Sequence, residues 1–243
     1  MSLLTKIRIL FSEDRQFRQF MLLCLFTLFN FCLVGVRLYY VDFDLASIQS
    51  SKDLFMLRGT TTFLFLIWNL FLAWIPYWLS LAVAPFYERS QSLLLTGGLL
   101  FIWLLFLPNA PYILTDLLHL RMRAPIPFWY DLMLLFSFAW TGLLLGIISL
   151  YEIHLFIAKQ WSRWAGWLVV TISIFLSGLG VYIGRFLRWN SWDIIAQPFE
   201  LIYDLWSILI EPQSFNGSGS IVLFAAFFLL SYLTFFSFSE NKY

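Results

Sequence analysis

Leu107–Leu120 reads LPNAPYILTDLLHL, and how it is read decides the fold. It brings two prolines, an Asn, a Tyr, a Thr, an Asp and a His directly after the run LLLTGGLLFIWLLF. Polar side chains and freed backbone groups against a hydrocarbon-like run are costly in lipid unless protein or enclosed water satisfies them. The stretch is therefore expected to form the wall of a site in a membrane protein. A helix from Leu93 to Leu107 covers only about 22 Å at roughly 1.5 Å per residue. Pro108 and Pro111 then interrupt its hydrogen-bond ladder before Tyr112–Leu120 resumes a helical pattern, which makes a broken span.

Composition sets the solvent. Of 243 residues, 61% are hydrophobic and only 12% charged, against about a quarter charged in an ordinary soluble domain. A formal net charge of +1 supplies no basic field for phosphate neutralisation, so nucleic-acid binding is excluded. Cys24 and Cys32 lie eight residues apart in one apolar run, roughly 12 Å along a helix, which is too far for a disulfide. Lys6, Arg8, Arg15 and Arg18 precede the first apolar run as they would in a signal peptide, but no small-x-small cleavage pattern follows, so the run is expected to stay as the first span.

Six segments are long enough for a hydrocarbon core of about 30 Å. They lie near residues 19–40, 61–83, 93–120, 128–157, 164–188 and 219–238 of one integral membrane domain covering residues 1–243. The expected fold is an all-α, polytopic helical bundle whose third span breaks at Pro108 and Pro111. Residues 41–57 read as a short outer connection. In SWDIIAQPFELIYDLWSILIE, Pro198 can open a helix over about 194–210 whose Glu200 and Asp204 oppose Leu201, Leu205, Ile208 and Leu209. An interfacial amphipathic helix, placed as a lid over the site, is expected there. With the N-terminus inside, eight Lys and Arg residues fall on the inner side and seven on the outer. Four of the inner ones precede the first span, which usually dominates, so both termini are expected in the cytoplasm and the protein in the cell membrane.

In that arrangement the ends of the third and fifth spans meet the start of the fourth. The groups expected to gather are Asn109, Tyr112, Thr115, Asp116 and His119, then Trp129, Tyr130 and Asp131, then Arg185, Arg188, Trp189, Asn190, Trp192 and Asp193. Asp116 with His119, Tyr112 with Asp116, and Arg185 with Arg188 share helical faces by their spacing. The charged members are expected to converge in one polar pocket in the outer half of the bilayer. Each also has a plainer reading. Trp129, Tyr130, Trp189 and Trp192 suit an aromatic belt, and the arginines can snorkel or pair with the aspartates as glue. Asp116 and His119 form at most a metal half-site, and no metal or other cofactor is expected. Glu152 and His154 read as a solvated helix end. Asn30 and Asn69, within spans, read as interhelical hydrogen-bonding amides.

The motifs NAPYxxTDLxHL and GRFLRWNSWD, with PFWYDLMLLFSFAWTGLLLGIISLYEIH between them, resemble an uncharacterised bacterial family of integral membrane proteins known only as a domain of unknown function. The resemblance covers about residues 60–240. Its pattern includes Pro108, Asn109, Pro111, Tyr112, Thr115, Asp116, His119, Tyr130, Asp131, His154, Gly184, Arg185, Arg188, Asn190, Trp192 and Asp193. It implies a multi-span bacterial membrane protein and supplies no activity.

The function expected first is binding or transport of a small anionic or zwitterionic ligand or lipid headgroup, with the Arg pair and the positive end of the half-helix beginning near Tyr112 facing it. Membrane lipids are the expected surroundings. An accessory or assembly subunit with a protein partner is the alternative. A membrane enzyme acting on a phospholipid or polyprenyl-phosphate-type substrate, with Asp116, His119 or Asp131 as acid or base, comes third. No nucleophile elbow, P-loop, paired-Cys motif or HExxH supports an enzyme, so whether the protein is one stays open.

Overall fold

A computed structural model of the chain describes residues 8, 11, 13–41, 62–187, 189, 196, 197, 199, 200, 203 and 219–240. Its elements are α1 (Asp14–Tyr40), α2 (Phe65–Ser90), α3 (Leu93–Phe106), the one-turn α4 (Asn109–Tyr112), a 3-10 turn (Ile113–His119), α5 (Phe128–Gln160), α6 (Arg163–Tyr182), a π turn (Ile183–Leu187) and α7 (Ser220–Glu240). Among the described residues there is no strand, only one isolated bridge between Arg123 and Ile126. Six segments are long and apolar enough to cross a membrane, with α3, α4 and the 3-10 turn together making the third. This is the expected all-helical, multi-pass architecture. The interfacial helix near 194–210 and the connection over 42–57 fall largely or wholly outside the described residues.

Two helices are longer than their apolar runs suggest. α1 begins at Asp14, whose carboxylate sits in the first turn, where the helix dipole favours it. α2 continues to Ser90 through Pro76 and Pro85 and stops only where Gln91 takes a left-handed conformation. Hydropathy marks where lipid contact ends, whereas the backbone ladder runs on into the interface. Ser92 and Ser162 cap α3 and α6, accepting from the backbone N–H of Leu95 and Ala165.

α5 is the axis of the bundle: 72% of its spanning window is buried, against 17% for α1 and 11% for α7. Its buried face interleaves large apolar residues with Ser137, Thr141, Gly142, Gly146 and Ser149, small enough for neighbouring backbones to come close. Asn30 of α1 donates to Thr141 (2.9 Å) and accepts from Ser137 (2.6 Å). Trp103 of α3 donates to Ser149 (2.8 Å), which donates to the Pro76 carbonyl (2.8 Å). Asn30 thus makes the expected interhelical bonds, and Asn69 does so in the site described below.

The broken span is seated on two glycine pairs. The Ala110 carbonyl lies 2.7 Å from where a Cβ on Gly142 would stand, and the Ala110 methyl 3.1 Å from that of Gly146. On α6, Pro108 carbons come within 2.6 Å of a Cβ on Gly180, and in the π turn the Tyr112 ring comes within 3.1 Å of one on Gly184. At Gly142 and Gly180 a Cβ would force the interrupted segment to shift, and at Gly146 and Gly184 it would press on the Ala110 methyl and the Tyr112 ring.

The end of α5 corrects one expectation. Glu152 and His154 are buried, not a solvated helix end. Glu152 accepts from Arg15 (2.6 Å) and Gln16 (2.8 Å) at the start of α1. His154 Nδ1 meets the Tyr232 hydroxyl of α7 at 2.6 Å. A carboxylate so deep needs a charged partner, and α1 supplies it by beginning early.

Candidate functional site

At the opposite end of α5 the last turn of α1, the first turns of α2 and α5, the 3-10 turn and the π turn come together. The backbone of the broken span sets their register. The ladder of α3 ends at Phe106, and Leu107 and Pro108 keep right-handed helical angles without reversing the chain. The freed carbonyls are satisfied locally: Leu107 accepts from the Ala110 N–H (3.1 Å), and Phe106 accepts from Asn109 Nδ2 (3.0 Å). The break therefore falls where the prolines place it, but the chain resumes as one α turn and a tighter 3-10 turn. That corrects the expected half-helix: so short a piece carries no dipole end able to hold an anion, because a macrodipole needs aligned peptide units.

The tightened segment points Asp116 into the bundle, where it is 1% exposed. Asn69 of α2 donates to Asp116 Oδ2 (2.8 Å), and Arg185 Nη1 stands 3.6 Å from Asp116 Oδ1. The same Nη1 lies 3.2 Å from His119 Nε2. With Pro108 against Gly180 and Tyr112 against Gly184, the next turn brings Asp116 and His119 opposite Arg185. Arg185 lies in the π turn, a wider helical turn that recurs at functional sites.

A second centre adjoins the first. Asp131, in the first turn of α5 and 1% exposed, accepts from Arg37 Nη2 (3.2 Å), and Arg123 Nη1 is 3.7 Å from the same oxygen. Arg123 also donates from Nη2 to the His119 carbonyl (2.9 Å), which joins the two centres. Both guanidiniums approach the buried ring of Phe63, Arg37 at 4.3 Å and Arg123 at 5.2 Å from its centroid, within cation–π range. Arg37 is fully buried, yet among the described residues its Nε and Nη1 have no hydrogen-bond partner, and neither does Arg123 Nη1 or Asp131 Oδ1.

Of the expected site residues, Asp116, His119, Asp131 and Arg185 lie in this joined network. Asn109 and Thr115 are taken up by their own backbone, Thr115 donating to the Tyr112 carbonyl (2.7 Å), and Tyr112 packs on Gly184. Arg188, Asn190, Trp192 and Asp193 lie outside the described residues. Trp129 is exposed as a belt residue would be, but Tyr130 is buried and donates to the Leu33 carbonyl (2.6 Å). The Trp189 N–H donates to the Ile183 carbonyl (3.2 Å) as the π turn closes. Among the described residues no three His, Cys, Asp or Glu side chains gather closely enough to share a metal.

Arg37, Arg123, Asn69 and Phe63 are members the sequence reading did not place in the site. Arg37 left a trace: Asn30, Val34 and Arg37 share the one buried face of α1, and their i, i+4, i+7 spacing puts the arginine on the face of the asparagine.

Fold and site together define a multi-pass helical membrane protein that buries an arginine–aspartate network at one end of its central helix. The model of the family described as "Protein of unknown function (DUF1361)" matches residues 68–234, and the chain belongs to that family. No curated protein and no solved structure matches it. The matched stretch holds Asn69, Asp116, His119, Arg123, Asp131 and Arg185, while Arg37 and Phe63 precede it.

Proposed function

We propose that this protein binds an oxyanion, either a small free anion or the phosphate of a lipid headgroup, at the Arg37–Arg123–Arg185 network, and moves it between aqueous face and bilayer. One observation carries the reading. Among the described residues three guanidiniums face two carboxylates, and two donors of the wholly buried Arg37 are left unbonded. A buried, unmet donor costs about 1–3 kcal/mol, and more when charged. An anion would meet these donors and cancel the excess positive charge, and the unbonded Asp131 Oδ1 could accept from an ammonium on a zwitterionic ligand.

The test uses the protein in mild detergent. Native mass spectra would show phospholipid carried through purification, and titration calorimetry would measure sulfate and dihexanoyl-phosphatidylglycerol separately. Binding of sulfate alone identifies a free anion, and binding of the lipid or its co-purification identifies a headgroup. No binding of either, with no lipid retained, removes the reading.

On the same proposal the network faces outward from the cell membrane and both termini lie inside, because Lys6, Arg8, Arg15 and Arg18 precede the apolar run of α1. In a variant lacking Cys24 and Cys32, Met122→Cys, beside the network, is expected to react with an impermeant maleimide on intact cells. Gln91→Cys, at the other end of α2, is expected to react only after lysis. The reverse pattern turns the network to the cytoplasm.

A further inference from the structure

We propose that the anion is bound together with a proton, which adds to Nε2 of His119; this rests on the anion-binding reading above. Arginine is charged at any working pH and its nitrogens only donate. The 3.2 Å contact between Arg185 Nη1 and His119 Nε2 is therefore a hydrogen bond in the neutral imidazole that carries its proton on Nδ1 and leaves Nε2 a bare lone pair. A proton arriving at Nε2 takes that lone pair. The Arg185 N–H loses its acceptor, and an imidazolium stands beside a guanidinium. Like charges at this distance repel, and the least costly relief is an anion between them that accepts from both.

The groups around His119 act in the same sense. Arg185 faces it from the π turn. Phe65 of α2 sets its ring edge-on to the imidazole, with centroids 5.3 Å apart. Arg123 holds the His119 carbonyl, and Arg121 lies two residues on. The one carboxylate on its own segment, Asp116, is among the described residues already divided between Asn69 and Arg185, and an entering anion supplies the further negative charge that an imidazolium calls for. Proton and anion should each strengthen the other's binding by the same factor, since coupling between two sites is reciprocal. His119 is only partly buried, so the proton can come from the aqueous face. A carrier built this way takes up one proton with each anion and is driven by a pH difference.

Calorimetry in buffers of different ionisation enthalpy counts protons taken up per anion. Sulfate and dihexanoyl-phosphatidylglycerol are suitable probes because neither titrates between pH 5.5 and 8.5. Above the His119 midpoint, uptake should approach one proton, and affinity should fall by up to about tenfold per pH unit. His119→Gln retains an acceptor for Arg185 but cannot titrate: it should bind with no proton uptake and a flat pH profile. No variant is needed for a second reading. The chain has two histidines, and in protein labelled with 15N at histidine the probe should protonate His119 and leave His154, bonded to Tyr232 at the other end of α5, unchanged. Binding with no proton uptake overturns the coupling and leaves anion binding standing. Undiminished uptake in His119→Gln overturns the assignment to His119. If neither probe binds at any pH, the anion-binding reading falls and this proposal with it.

Discussion

Arg37→Met is expected to lower folding stability by about 3–5 kcal/mol, the cost of leaving one partner of a buried ion pair uncompensated. Asp131 would keep only Arg123, at 3.7 Å, while remaining 1% exposed. The double variant Arg37→Met/Asp131→Leu should recover most of the loss, because a buried ion pair can often be replaced by apolar residues of similar volume at little net cost. Thermal unfolding in detergent measures both. A single variant as stable as the parent would show that the pair does not hold α1 to α5. The double variant also separates structure from function: a stable protein that no longer binds sulfate or dihexanoyl-phosphatidylglycerol assigns the pair to the ligand. Unchanged binding would remove Arg37 from the site.

Arg185→Lys is the second large effect, and it should fall on binding. Nη1 of Arg185 serves both His119 and Asp116, leaving the rest of its planar fork for a ligand. Lysine keeps the charge but not the fork. Losing charge-assisted hydrogen bonds worth about 1.5–3 kcal/mol corresponds to roughly 10–150-fold weaker anion binding. Stability should change little, since Asp116 retains Asn69 at 2.8 Å and a cation nearby. A variant that fails to fold would make Arg185 structural glue, and one with unchanged affinity would place it outside the ligand site. At 16% exposure Arg185 is less buried than Arg37, whose side chain is 1% exposed, so the stability effect falls on α1 and the binding effect on the π turn.

The difference between these arginines shows how far the sequence could be read. Arg185 was visible because it sits in a polar motif next to a span end, where a charge in lipid asks for a reason. Arg37 sits in the equally apolar VGVRLYY and counted only among the outer-side charges, where long side chains near helix ends commonly reach water. What distinguishes them is the side of the helix each faces, and a nearly all-apolar helix shows little contrast between its faces. Arg123, on a connecting loop, carried no periodicity to locate it. Glu152 was misread for a related reason: a charge near a span end looks solvated until the neighbouring helix proves long enough to cover it.

By itself the sequence determined the solvent, the number of crossings and the place of the break. Those follow from the length of each apolar run against the thickness of a bilayer, and from prolines that lack an N–H wherever they stand. It also singled out Asp116, His119, Asp131 and Arg185 as costly to leave unpartnered in lipid. Only the tertiary structure decided who partners whom: Asn69 and Arg185 with Asp116, Arg37 and Arg123 with Asp131, Arg15 with Glu152. It also turned the expected half-helix into one α turn, seated with Pro108 against Gly142, Gly146, Gly180 and Gly184, followed by a 3-10 turn. Pairings and seats of this kind depend on helix rotation and register, which are set where small residues let backbones touch across segments far apart in the chain.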